Sequence, residues 1–390
     1  MRVVVAGLVA TYPVGGVAWD YLQYVLAFHR LGCDVLYLED TGRWLYDPQA
    51  ATFTPDAAGG ARFVGRSLAA LEPALAGRVA VRAPDGTWHG WNGAAVARFC
   101  AASDLVLNLS GACWLRDAYR TARVVAYVDT DPGYSQAMLL AAEARDASQE
   151  AIDSAALVRS HDVFFTLGEH VGQPDCRVPT AGLCWLPTRQ PIVLDRWPVS
   201  TPPADGAFTT VLSWSIEPSP PVIGGRAYGG KDVAFLRVLD LPGRTSERLE
   251  AAISGAAPRE RIAAAGWRVV DGQEVSTTVD AYQRYLVGST GEFSVAKDVY
   301  VGTRSGWFST RSAAYLAAGR PCVLEDTGWS AHVPPGPGLR PFTTVDEAAA
   351  ALAAVRGDLR AASAHARATA ESSFDGVRIC ERLLADAGLA

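Results

Sequence analysis

The sequence predicts an α/β protein built as two doubly wound parallel-sheet domains that face each other across a cleft. Three observations carry this. Short apolar runs of strand length alternate with stretches of helical spacing in both halves of the chain. A proline-rich passage from Pro187 to Pro203 separates the halves. Polar clusters follow directly on the apolar runs, where open α/β sheets bind their ligands.

The first half opens with a strand over residues 2–8 and a loop over 11–16 that ends in Gly15-Gly16. Val17, Tyr21, Leu22, Val25, Leu26 and Leu31 then recur at helical spacing, and Gly32 stops the helix. Asp34–Leu38 is a second strand, followed by Glu39-Asp40. A strand, helix and strand in this order imply a right-handed crossover and a parallel sheet. Leu105–Leu109 is a strand ending at Ser110-Gly111, and Val124–Val128 ends at Asp129-Thr130-Asp131-Pro132. Residues 134–158 are expected to be helical, and Val163–Leu167 is a strand ending at Gly168-Glu169-His170.

The second half starts with a strand at Thr209–Trp214. Phe235–Leu241 and Trp267–Val270 are expected as strands, 279–287 as a helix and 292–301 as extended chain. From Gly302 to Leu324 a polar turn, a helix and a buried strand follow one another. Hydroxyls and an arginine stand at the start of that helix, where unpaired backbone N–H groups and the positive dipole end make a seat for phosphate. Gly319 suits its C-cap and Pro321 stops it. Ala-rich helices at 346–356 and 359–372 and a last helix at about 375–388 complete the chain. The domain limits expected are 1–195 and 196–374, with 375–390 packing back on the first domain.

Composition narrows the function. The chain has 390 residues and a net charge of −6, which argues against a nucleic-acid-coating role. No apolar run approaches the roughly 18–20 residues of a membrane span, and the first residues start a strand without a signal-peptide pattern. A cytoplasmic protein is expected. The seven cysteines contain no CxxC pair, and Cys33, Cys100 and Cys322 sit in apolar segments as buried thiols. Scattered histidines offer no metal-ligand spacing, so no metal is expected. Against 33 arginines there are two lysines, Lys231 and Lys297. An ammonium kept in that background marks places where a planar guanidinium would not serve.

Several residues carry chemistry on these grounds. Arg304, Gly306, Ser309 and Thr310 form the phosphate cradle, with Ser312 a turn further on. Arg226 and Lys231 follow the first strand of the second domain as two cations five residues apart. Asp129 and Glu169, each just after a first-domain strand, are the preferred candidates for a general base, with Asp20, Asp131 and His170 nearby in the pattern. Asp131 equally fits a turn or helix cap before Pro132.

This layout resembles the GT-B fold, the two-Rossmann-domain architecture of many nucleotide-sugar-dependent glycosyltransferases. Gly306-Trp307-Phe308-Ser309-Thr310 is similar to the donor-binding signature of plant UDP-glycosyltransferases, which runs His-Cys-Gly-Trp-Asn-Ser-Thr, a leucine, then Glu. Here Arg304 stands at the histidine position, Phe308 at the asparagine and Ser312 at the ribose-binding glutamate. The chain also resembles retaining glycosyltransferases with a Glu-x7-Glu motif. Aligned on Gly319-Arg320-Pro321, Gly306 and Ala314 stand where that motif has its glutamates. Arg226 and Lys231 resemble the Arg/Lys pair that clamps the donor pyrophosphate in that group, and Gly15-Gly16 its glycine loop facing the donor. Asp326-Thr327-Gly328 stands where related enzymes contact the donor sugar, and Lys297 where the base or phosphate would approach. Asp129-Thr130-Asp131 mimics the DxD metal motif of the other major glycosyltransferase fold and is read as a lookalike.

The resemblance implies transfer of a sugar from a nucleoside-diphosphate donor, such as a UDP-sugar, to a small-molecule or glycan hydroxyl, without metal or any cofactor beyond the donor itself. A nucleotide-sugar epimerase or phosphorylase on the same fold, or a binding protein without catalysis, are the alternatives. The oligomeric state stays open.

Overall fold

The computed structural model describes residues 1–203, 205–214 and 220–389. Two separate parallel sheets dominate it, and their strands are numbered here β1–β14. The first sheet runs β8-β7-β6-β5-β1-β2-β3-β4, from β1 (Arg2–Ala6), β2 (Asp34–Glu39), β3 (Val79–Arg82), β4 (Trp88–Gly90), β5 (Leu105–Leu109), β6 (Val124–Asp129), β7 (Val163–Thr166) and β8 (Trp185–Pro187). All its pairings are parallel except β3 with β4. The second sheet runs β11-β10-β9-β12-β13-β14, from β9 (Phe208–Ser213), β10 (Leu249–Ser254), β11 (Arg268–Asp271), β12 (Gly291–Ser294), β13 (Cys322–Glu325) and β14 (Leu339–Phe342), parallel throughout.

In each sheet the order reverses beside its first strand, between β1 and β5 and between β9 and β12. These reversals open a crevice beyond the strand ends. The central strands are apolar on both faces, as the burial of Val3, Val4, Val5, Leu105, Val106 and Leu107 shows. The chain is thus a mixed α/β protein of two Rossmann-like halves.

Some local expectations change. Phe235–Leu241 is not a strand: the helix Lys231–Arg237 ends within it and a tight turn follows. Its buried residues Ala234, Phe235, Val238 and Leu241 have helical spacing. The strand of that region is Leu249–Ser254, whose Leu-Glu-Ala-Ala composition suits a helix but whose first five residues are buried inside the sheet. Residues 134–158 form two helices, Tyr134–Ala141 and Gln149–Arg159, the second capped by Ser148. Only 291–294 of the expected extended stretch is strand; Asp298–Thr303 is helix.

The last helix, Gly376–Asp386, lies on the first helix, Gly15–Arg30, with Cys380, Leu383 and Leu384 buried. The chain crosses between the halves once near Ile192 and again near Asp375, and the two passes are joined: Ile192 donates to Phe374 O at 2.8 Å and Gly376 to Ile192 O at 2.9 Å. Ala390, at the end of the expected terminal segment, lies outside the described residues. Among the described residues no helix is long and apolar enough to cross a membrane.

Candidate functional site

Between the halves lies a cavity of about 450 Å³. The first half supplies the start of the helix Gly15–Arg30, the end of β5 (Leu109, Ser110) and the turn after β6 (Thr130, Asp131). The second half supplies the ends of β9 and β10 (Ser213, Ser254), Gln273 after β11, Lys231, Lys297, and the start of the helix Thr310–Ala317. The two sheet reversals therefore meet in one space.

The anion side is built on the second half. Ser309 is the N-cap of the helix Thr310–Ala317, and its side chain makes no cap bond. Ser309, Thr310 and Arg311 face the cavity. Arg311 is held on three sides, donating to Glu292 Oε1 at 2.7 Å, Ser294 Oγ at 2.6 Å and Val211 O at 2.6 Å. Buried Glu292 pushes its pKa up despite desolvation. Lys231, at the start of its own helix, has no hydrogen-bond or ion-pair partner among the described residues, and burial beside Arg311 and Lys297 lowers its pKa to about 7. Lys297 pairs with Asp131 of the first half at 2.9 Å, and its ammonium lies over the Tyr134 ring at 4.3 Å. Tyr300 donates to the same carboxylate and stacks on Trp307, whose indole N–H donates to Thr130 O at 3.0 Å. Lys297 and Tyr300 hold the Asp131 carboxyl below the usual range against desolvation.

Beside these cations, but from the first half, stands Asp20, one turn into the first helix. The residue is open to the cleft, yet both halves crowd it, and loss of bulk water raises its carboxyl to about 7 against the pull of Arg311 and Thr310. Asp20 and Asp131 are the two described carboxylates that line the cavity. With Asp131 engaged by Lys297 and Tyr300, Asp20 is the one poised to exchange a proton near neutral pH.

The structure brings together Gly16, Lys231, Lys297, Ser309 and Thr310 of the residues expected from sequence. Gly15 lies just beneath, where a Cβ would collide with the Thr278 carbonyl of the second half, and Gly16 N–H donates to Ser276 Oγ at 2.9 Å. Gly306, at φ +76, lets its loop pass against the His170 backbone, where any side chain would clash.

Others of the expected set stand outside the cavity. Asp129 is fully buried and accepts from Ser135 Oγ at 2.7 Å, Gln136 Nε2 at 2.8 Å and Thr166 Oγ1 at 2.8 Å. It ends β6 with its side chain turned into the protein, so it does not present a base to the cleft. Glu169 is tied to Arg189 at 2.7 Å, away from the lining. Arg226 pairs with Asp298 at 3.4 Å, and Arg304 with Asp175 at 3.1 Å; both are more than half exposed on other faces. Ser312 is buried within its helix. Asp326 caps its own turn through Gly328 N–H and Ser330, and Thr327 donates to Trp307 O, so Asp326-Thr327-Gly328 braces the cradle loop from behind. Asp129 and Asp131 are both committed to protein donors, and among the described residues no group of three or more His, Cys, Asp or Glu side chains is placed to hold a metal ion.

Arg311, Gln273 and Tyr300 line the cavity without a role expected from sequence, and Asp20 takes the place expected for Asp129. The signal for Arg311 was present one residue beyond Thr310, inside the cradle itself.

No family model matches this chain, and no curated protein matches it in sequence. Solved structures do match in fold. AviGT4, a glycosyltransferase involved in avilamycin A biosynthesis, aligns over 100% of this chain and 97% of its own at 14% identity and a TM-score of 0.54. Anabaena HepE in complex with UDP-glucose aligns over 100% of both chains at 13% identity and a TM-score of 0.57. Sucrose-phosphate synthase from Thermosynechococcus elongatus aligns over 98% of this chain and 97% of its own at 12% identity and a TM-score of 0.52. Shared over the whole length, with the two sheet reversals turned toward one cavity, the architecture of this chain is the GT-B fold.

Proposed function

We propose that this chain transfers a glycosyl group from a nucleoside-diphosphate sugar to a hydroxyl acceptor. One observation carries the reading: Lys231, Lys297, Arg311 and the N-terminus of the helix Thr310–Ala317 converge on one cavity, with Asp20 of the other half beside them. Three cations and a helix N-terminus on one small volume match the charge of a diphosphate, and they stabilise it most when it departs with a full negative load. Ser309 and Thr310 hydroxyls add donors at the same place. Lys231 gains most, because an anion beside it restores the proton that burial and its cationic neighbours suppress. This charge compensation operates through the chain's own side chains.

In the transfer step the acceptor oxygen bonds to the anomeric carbon, the bond from that carbon to the diphosphate oxygen breaks, and its electron pair leaves with the nucleoside diphosphate. The acceptor proton passes to Asp20. A carboxyl near 7 accepts a proton at neutral pH and still releases it afterwards. Enclosure between two halves limits loss of donor to water. The fold likeness to HepE, which was solved with UDP and with UDP-glucose, supports a nucleotide sugar as donor.

Titration calorimetry with UDP, GDP and TDP and with their sugars tests the reading. Saturable heat is expected with at least one of these diphosphates. No heat from any of them would defeat it.

A further inference from the structure

The wall of the cavity holds one polar group that no protein atom satisfies. Tyr24 lines the cavity, yet it is only 2% exposed and its hydroxyl makes no hydrogen bond among the described residues. Five other described residues carry a buried side-chain polar atom without a partner, and none of them lines this cavity. Two tyrosines of the same lining are engaged: the Tyr21 hydroxyl meets Ser110 Oγ at 2.8 Å, and Tyr300 donates to Asp131. A buried hydroxyl left unpaired forfeits the hydrogen bond that water gave it. Native folds leave few such groups, and one on a cavity wall draws its partner from the cavity.

Gln190 supplies the complement. It is also 2% exposed and also lines the cavity. Its amide nitrogen donates to Phe308 O, which fixes the amide plane and leaves the amide oxygen without a donor among the described residues. Two contacts place it beside Tyr24. Val193 N–H donates to Gln23 Oε1 at 2.9 Å, so the stretch 190–193 runs along the first helix at Gln23 and Tyr24. Thr188 N–H donates to Thr166 O at 2.9 Å, which sets Gln190 next to Leu167, another lining residue. Tyr24 and Gln190 do not bond each other. A hydroxyl between them accepts from the one and donates to the other.

Their place in the cavity says whose hydroxyl it is. Tyr24 lies one turn beyond Asp20 on the same helix, about 6 Å along its axis. Gln190 is tied to the carbonyl of Phe308, the residue before the Ser309 N-cap. The pair therefore stands beside both the proposed base and the proposed diphosphate seat. Between a base and a departing diphosphate lies the group being transferred.

We infer that Tyr24 and Gln190 together read one hydroxyl of the transferred sugar, Tyr24 as donor and Gln190 as acceptor, and so select for sugars that carry it. This rests on the glycosyl-transfer reading and specifies how its donor sugar is chosen. A site built around a hydroxyl rejects the analogue that lacks it, because the buried polar groups are then left unpaired.

Two measurements on the full chain test this. Calorimetry takes whichever of UDP, GDP and TDP binds, the tightest of its glucose, galactose and mannose conjugates, and the four monodeoxy analogues of that conjugate. One analogue is expected to bind the unaltered protein roughly tenfold or more weakly than its parent, and in Tyr24→Phe that gap is expected to close to about twofold or less. Affinity for the bare diphosphate checks that the variant keeps its phosphate seat. Urea unfolding without any ligand is the second measurement. Tyr24→Phe is expected to be at least as stable as the unaltered protein, since it removes a hydroxyl that the protein itself does not satisfy. A lower midpoint would show that the hydroxyl is bonded inside the protein and would overturn the inference. So would equal gaps in both proteins for every analogue, no gap for any, or a diphosphate that binds while none of its conjugates does. If no diphosphate binds, the glycosyl-transfer reading fails and takes this one with it; binding without coupling to Tyr24 defeats this one alone.

Discussion

Lys297 and Asp131 meet at 2.9 Å across the cavity, one residue from each half of the molecule. The pair puts a carboxylate against a cation that the proposed diphosphate also needs. Asp131 thus holds the Lys297 ammonium in place, the Tyr300 hydroxyl donates to the same carboxylate, and the Tyr134 and Tyr300 rings face the ammonium. Lys297→Ala is expected to weaken nucleoside-diphosphate binding by about tenfold or more, since a hydrogen bond to a charged group contributes about 1.5–3 kcal/mol. Calorimetry at constant salt measures it.

Asp20→Asn is expected to lower kcat by about 10²–10⁴ while nucleoside-diphosphate binding is kept or strengthened, because a negative charge beside Arg311 and Lys231 is removed. In the unaltered protein the rate rises with pH through about 7, because the base must be ionised; the variant loses that limb. The carboxyl is raised from 3.8 to about 7 on folding, so its ionisation costs stability as pH climbs through that window. Asp20→Asn protein is therefore more stable than the unaltered protein at pH 8, as urea unfolding checks.

Lys231 titrates in the opposite sense. Burial beside Arg311 and Lys297 brings its amine down to about 7, and an adjacent diphosphate draws it back up. Binding at pH 8 takes up close to one proton, so affinity drops as pH rises above about 7. Calorimetry in buffers of different ionisation enthalpy reads the uptake directly. Lys231→Met lowers the uptake, leaving the smaller share that Asp20 contributes from the same cavity.

Glu292→Gln removes the fully buried carboxylate that anchors Arg311. An uncompensated buried guanidinium then costs about 3–5 kcal/mol. Urea unfolding shows a lower midpoint, and diphosphate affinity falls with it because Arg311 loses its fixed orientation.

Arg226→Ala and Arg304→Ala are expected to change diphosphate affinity by less than about twofold. Both side chains form exposed ion pairs outside the cavity, a class worth about 0–1 kcal/mol. A tenfold loss with either would show that the cavity is drawn too small.

What the sequence makes legible follows its physics. Strand ends and glycine stops locate the two sheets, and the turn-helix-strand pattern locates Ser309 and Thr310, because caps and breakers are local signals. Lys231 and Lys297 stand out through composition. Which face of an element looks into the cleft is a different matter. Asp129 and Asp131 lie two residues apart at the end of β6, yet one is sealed among Ser135, Gln136 and Thr166 while the other reaches the cavity. Arg304 has a left-handed backbone at φ +52, which turns it away from the seat that Arg311 fills. Asp20 lies inside a helix, where a rule about strand ends does not look. Leu249–Ser254 became a strand because its place between two others overrode a helical composition.

The joined crossings at Ile192 and Asp375 have a mechanical meaning. A single tether would let one half swivel freely on the other. Two passes bonded side by side behave as a two-ply strap, soft to bending and stiff to torsion. Together with the Trp19 indole, which donates to Val279 O at 2.9 Å from one half to the other, the strap fixes the twist at which Lys297 meets Asp131.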